Sequence, residues 1–146
     1  GATSLTESWA ALETVSNNHL MLGHLMEWFY SGLAGIRQDE NSVAFKKIIL
    51  KPEPVEGITF TKADYQSPYG RIKCEWRKNK DRLTVDVTIP VNTTAKVFLP
   101  VAPGSVVTES GRQLSFSGDA WFLKKENDHE IYRLGSGRYC FEIKPN

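Results

Sequence analysis

Residues 71–89, RIKCEWRKNKDRLTVDVTI, decide the fold. Ile72, Cys74 and Trp76 alternate with Lys73, Glu75 and Arg77, and Leu83, Val85, Val87 and Ile89 alternate with Thr84, Asp86 and Thr88. A period of two sends one set of side chains to one face of a strand and the other set to the opposite face. Asn79-Lys80-Asp81 stands between the runs as a turn sequence, so the pair reads as a β-hairpin. Its basic side chains, Arg71, Lys73, Arg77, Lys78, Lys80 and Arg82, are interrupted by Glu75 and Asp81. That is the pattern of a solvated strand face.

The same period continues on both sides. Phe45 to Lys51 and Ile58 to Tyr65 read as strands, separated by Pro52-Glu53-Pro54 and Gly57. Further strands are expected near residues 95–100, 105–109, 112–117, 120–125, 130–134 and 138–144, punctuated by Ser110-Gly111, Ser117-Gly118-Asp119 and Gly135-Ser136-Gly137. Many short half-buried strands predict a mainly β fold, an antiparallel, jelly-roll-like β-sandwich over residues 44–146. Its core should contain Trp76, Val85, Val87, Phe98 or Leu99, Phe141 and Ile143. Cys74 shares parity with Trp76, whereas Cys140 shares parity with Arg138 and Glu142, so a bridge between them is not expected.

Before residue 37 the pattern differs. Residues 1–36 contain Glu7, Glu13 and Glu27 but no Lys or Arg, and all 18 basic residues lie from Arg37 onward. Leu22, Met26, Phe29 and Leu33 recur at helical spacing, with Asn17 or Asn18 as the expected N-cap and Gly35 as the stop. A second, short helix around Glu7 to Val15 would open at Ser4, so one or two α-helices should precede the sandwich. Leu20, Met21, Leu25, Trp28 and Tyr30 point away from the first stripe, leaving the helix apolar nearly all round. Helices of that kind are buried within larger proteins. Gln38 to Val43 reads as a linker.

Composition narrows the function classes. The 146 residues carry 18 basic and 17 acidic side chains, a net charge of +1 that supplies no electrostatic reason for a nucleic-acid or anionic-membrane partner. No apolar run approaches the roughly 20 residues of a membrane span. The opening GATSLTESW lacks the basic and apolar regions of a signal peptide. No phosphate loop, dinucleotide fingerprint or Ser-His-Asp order is present.

Each candidate for chemistry has a plain structural alternative. Ser4-Leu5-Thr6-Glu7 matches a capping box, in which Glu7 would reach back to the Ser4 N–H. His19 and His24 are five apart with no completing carboxylate, so no metal site is expected. Tyr65, Tyr69 and Trp121 offer aromatic faces suited to sugar stacking, or to core packing. The sandwich as a non-catalytic carbohydrate-binding module is therefore an alternative function.

GATSLTESW, SNNHLMLGHLMEWFYSGLAGI and FKKIILKPEP, followed by SPYGRIKCEW, VTIPVNTTAKVFLP and GSGRYCFEI, closely resemble in order the C-terminal end of bacterial α-L-rhamnosidases. The resemblance covers almost the whole chain. It implies an inverting glycoside hydrolase with an (α/α)6 barrel, two carboxylates acting as acid and base, and no cofactor. By the match, Glu7 falls on the general base, and Trp9 and the Asn18-His19 pair fall near the sugar pocket. Thr6 stands where many members carry Trp, and eleven residues separate Glu7 from His19, a shorter stretch than is common. The resemblance further implies that residues 1–37 are a remnant of the catalytic barrel, 38–43 a linker, and 44–146 the sandwich that packs on it. The general acid would lie upstream, in a bacterial parent that is periplasmic or secreted. The isolated chain should then be inactive, its parent should take a rhamnose-containing glycan, and the fragment should self-associate through residues 19–34.

Overall fold

The computed structural model describes residues 5–8, 14–114 and 120–145. Among these residues eleven strands form two facing sheets: β1 Ile36–Gln38, β2 Lys47–Leu50, β3 Phe60–Ser67, β4 Gly70–Asn79, β5 Arg82–Ile89, β6 Thr94–Pro100, β7 Val106–Glu109, β8 Arg112–Gln113, β9 Ala120–Glu126, β10 His129–Leu134 and β11 Gly137–Lys144. One sheet has five strands in the order β1-β2-β6-β10-β9, and the other six in the order β3-β4-β5-β11-β7-β8. The hairpin forms as its alternation requires. Asn79 pairs with Arg82, leaving Lys80-Asp81 as a two-residue loop, with Lys80 at φ 52°.

The inward faces make one core. Trp76, Phe141, Ile48, Leu50, Ile72, Leu99, Leu134, Val85 and Val97 are essentially without solvent contact. Of the alternatives at 98 and 99, Leu99 is the core residue. Cys74 lies opposite Val87 and Cys140 opposite the adjacent Asp86, so the thiols project from opposite faces of the same sheet and both are free.

Several local expectations are corrected. β1 lies at residues expected to end a helix and begin a linker; three residues are too few for a period to show. β2 starts at Lys47 rather than Phe45, because Ala44 and Phe45 have φ of 54° and 64°, outside strand conformation. The sandwich is not wholly antiparallel: β2 runs parallel to β6. β8 ends at Gln113, and residues 115–117 of the expected 112–117 strand lie outside the described residues.

The helical segment is composite: a 3-10 turn Leu20–Gly23, α1 His24–Trp28, and a π turn Phe29–Leu33 closed by Ala34 N–H donating to the Phe29 carbonyl at 3.0 Å. Its N-cap position is His19, not Asn17 or Asn18, with no side-chain cap bond; Asn18 contributes only its carbonyl, which accepts from Leu20 N–H at 3.1 Å. The second helix does not form at the described residues of its expected span. Glu7, Ser8, Thr14 and Val15 are bends or turns, and residues 9–13 and Ser4 lie outside the described residues.

Gly35 ends the helical segment as expected, and packing makes it obligatory. Its φ is +76°, and a Cβ there would stand 2.1 Å from the Lys51 carbonyl group. The close approach lets Lys51 N–H donate to the Gly35 carbonyl at 2.9 Å. Nearby, the buried Trp76 indole N–H donates to the Leu33 carbonyl at 2.8 Å, satisfying a helix-end acceptor. Leu33 and Ile36 join the core, so the helix C-terminus is fastened to the sandwich while its earlier turns are not.

Candidate functional site

Glu7 sits in a short segment tied to the chain leading into the helix. His19 N–H donates to the Leu5 carbonyl at 2.7 Å, and Glu7 N–H donates to the Ser16 carbonyl at 2.8 Å. Ser16 N–H in turn donates to Glu7 Oε2 at 3.1 Å. These bonds bring the backbone of residues 5–7 alongside residues 16–19, so Glu7 and His19 belong to one corner of the structure. Glu7 is exposed, and Oε1 has no hydrogen-bond partner among the described residues. The carboxylate thus keeps one oxygen for a water or a hydroxyl. The observed Glu7 contact is with Ser16; the Ser4 end of the expected capping box and Trp9 both lie outside the described residues. The Thr6 hydroxyl donates to the Ser8 carbonyl at 2.7 Å, holding the bend.

His24 is exposed on α1, and no group of three or more metal-ligating side chains occurs among the described residues. The thiols are poor nucleophiles. Burial, reinforced by Glu75 and Asp86, pushes Cys74 up to about 12; burial and a hydrogen bond with Asp86 push Cys140 up to about 11. No described helix is long and apolar enough to cross a membrane.

The three aromatics do not form a single platform. Tyr65 packs on Phe45 with ring centroids 4.6 Å apart and the planes tilted by 41°, and Lys46 Nζ lies 5.0 Å from the Tyr69 ring. Trp121 lies on β9, at the opposite edge of the five-stranded sheet from β1, with the Arg133 guanidinium 5.8 Å from its ring. Tyr65 instead borders a groove of about 880 Å³ between the helix and the sandwich, lined also by Glu27, Tyr30, Arg37, Gln38 and Phe45. Tyr30, Gln38 and Phe45 carried no functional signal in the sequence, because they come from the π turn, from β1 and from the turn before β2.

Residues 35–113 match the family described as Bacterial alpha-L-rhamnosidase C-terminal domain. An α-L-rhamnosidase of Alteromonas sp. (strain LOR) is 34% identical over 152 residues, covering 98% of this chain and 15% of that protein. One from Streptomyces avermitilis is 25% identical, covering 98% of this chain and 14% of its own length. The solved α-L-rhamnosidase from Dictyoglumus thermophilum superimposes with a TM-score of 0.81 at 30% identity, over 98% of this chain and 16% of that one. The chain therefore spans about a seventh of the relatives it matches. More than half of its residues fall within the matched domain, and the chain belongs to the bacterial α-L-rhamnosidase C-terminal domain family.

Proposed function

We propose that the chain is the C-terminal part of an inverting α-L-rhamnosidase acting on a rhamnose-containing glycan, with residues 1–37 belonging to its catalytic barrel and the sandwich packing on that barrel. The observation that supports this best is the span of the likeness. The Alteromonas relative aligns over 98% of the chain, so the similarity extends into the arm that carries Glu7. Inversion needs a protonated carboxyl on the leaving oxygen and an ionised one activating water on the opposite face, the two about 6.5–9.5 Å apart. In this reading Glu7 is the general base. Its Oε2 is held by Ser16 N–H and its Oε1 is left for the attacking water. By the family match, Trp9 and His19 are the candidates for contacting the sugar. The general acid belongs to the remainder of the protein, so the isolated chain does not hydrolyse glycosides.

Glu7→Gln in the longer parent is the test. The amide oxygen still accepts from Ser16, so the bend is kept while the base is lost. Turnover of an aryl rhamnoside should fall by about 10²–10⁴-fold with little change in stability. Near-normal turnover would leave Glu7 a purely structural residue. Hydrolysis by the purified 146-residue chain would show that one carboxylate of the pair is not missing.

A further inference from the structure

We propose that the groove between the helix and the sandwich binds a single deoxyhexose ring, making it a second, non-catalytic saccharide site built from Glu27, Tyr30, Gln38, Phe45 and Tyr65. Its volume, about 880 Å³, lies within the range of about 300–1,000 Å³ usual for small-molecule sites. The walls carry the two kinds of group that a sugar ring presents to. Phe45 and Tyr65, at 4.6 Å, give an aromatic surface for the C–H face and the methyl of a 6-deoxy sugar.

The polar groups are only partly spent. Glu27 Oε1 accepts from the Ser31 hydroxyl at 2.7 Å, leaving Oε2 as an acceptor. Gln38 Oε1 accepts from Phe45 N–H at 2.9 Å, leaving the amide NH₂ as a donor. The Tyr30 and Tyr65 hydroxyls make no hydrogen bond to another described residue. A charged acceptor, an amide donor and two phenols around an aromatic pair suit the vicinal hydroxyls of a saccharide better than an apolar peptide, whose burial would strand them.

The site is also held in shape. Ala44 and Phe45 both occupy the left-handed region, which residues with a Cβ seldom enter, and the Gln38 amide bonds the Phe45 N–H in that conformation. Arg37 is fixed beside them, its Nε donating to the Ser31 carbonyl at 2.6 Å and a terminal nitrogen to Glu53 at 3.2 Å. The turn is closed by Lys46 N–H donating to the Val43 carbonyl at 3.1 Å and Lys47 N–H donating to Ser42 Oγ at 2.8 Å.

The choice of a deoxyhexose rests on the rhamnosidase reading; the existence of a saccharide site rests on the groove. L-rhamnose and D-glucose should be titrated into the 146-residue chain carrying Leu25→Glu and Met26→Glu, which lie outside the groove lining and keep the helix from pairing with a second copy, and followed by NMR at the Phe45, Tyr65 and Trp121 rings. Saturable shifts at Phe45 and Tyr65 with a Kd near the millimolar range are expected for L-rhamnose. Tyr65→Ala and Gln38→Ala should each weaken binding by at least about tenfold, with unchanged circular dichroism, while Trp121→Ala leaves it intact. No saturation by either sugar, binding that survives Tyr65→Ala, or binding lost only with Trp121 would overturn the proposal. Saturation by glucose alone would keep the groove and remove the deoxyhexose. Each result is independent of the Glu7→Gln assay, so an active parent with an empty groove refutes only this inference.

Discussion

Residues 20–33 and residues 70–89 are both rich in large apolar side chains, and the structure treats them in opposite ways. In the hairpin, Ile72, Cys74, Trp76, Val85 and Val87 are at most 2% exposed. In the helical segment, Leu20, Met21, Leu22, Leu25 and Met26 are 53–67% exposed. The difference lies in period rather than composition. Alternation gathers the hairpin's apolar groups onto one face, which a second sheet covers. The helix spreads them round its circumference, and of its large apolar side chains among the described residues only Leu33 is buried. Hydrophobic content decides that a segment will be buried; its geometry decides whether its own domain suffices.

Trp76 joins the two regions and should give the largest effect when removed. Trp76→Ala empties a fully enclosed volume and leaves the Leu33 carbonyl without its indole donor. A loss of about 3–5 kcal/mol in denaturant unfolding is expected. A loss under about 1 kcal/mol would mean that the sandwich core does not depend on this contact.

Gly35→Ala should come next. Left-handed backbone costs a residue with a Cβ about 1–2 kcal/mol, and forcing a group into packed space costs about 1–3 more. Hydrogen exchange should locate the damage at Lys51 N–H and the end of the helical segment, since those meet at Gly35. Protection lost evenly over both sheets would contradict the role of Gly35 as a local junction.

A smaller change in stability, but a visible one in assembly, is expected from the exposed helix. Each large apolar side chain that finds cover gains about 1.5–3 kcal/mol, and the described residues leave Leu25 and Met26 each 58% exposed. Two copies packed through residues 19–34 are the simplest solution. Light scattering at micromolar concentration should therefore report a dimer. Leu25→Glu with Met26→Glu should return it to monomer, with unfolding free energy of the sandwich within about 0.5 kcal/mol. A chain that is strictly monomeric before substitution would show that the helix tolerates water.

What could be read from the sequence follows the same division. Strict alternation exposed the hairpin and the buried Trp76, because strand period and burial are both local consequences of side-chain order; the turn expected over Asn79-Lys80-Asp81 closes one residue tighter, since Asn79 pairs with Arg82. The stop at Gly35 was legible for a local reason as well. The parallel pairing of β2 with β6 was not, since nothing in Lys47–Leu50 specifies which strand lies beside it. β1 is too short to show a period, and the left-handed Phe45 depends on Gln38 and Tyr65. At the candidate site, Glu7 stood out by resemblance, but its bond to Ser16 spans nine residues and no helical rule anticipates it. The groove was hidden because its members stand far apart in the chain.

The smallest expected effect lies in the connection between the regions, at Asp39. This side chain is nearly covered, with Asn41 N–H donating to Oδ1 at 3.0 Å and Lys96 Nζ on β6 donating to Oδ2 at 3.2 Å. The Asn41 bond first, and the Lys96 ammonium after it, hold the carboxyl below its ordinary value. A folded-state value lower than the unfolded one means that folding favours the ionised form. The resulting stability is fully present above the unfolded-state value of about 3.9 and is lost as pH falls through the folded-state value. Asp39→Asn removes the titration while the amide oxygen still accepts from Asn41. The variant should be slightly less stable at neutral pH and lose less stability than the parent chain on acidification from about pH 5 to pH 3. Parallel pH profiles for the two would show that Lys96 does not tie this connection to the sandwich in solution.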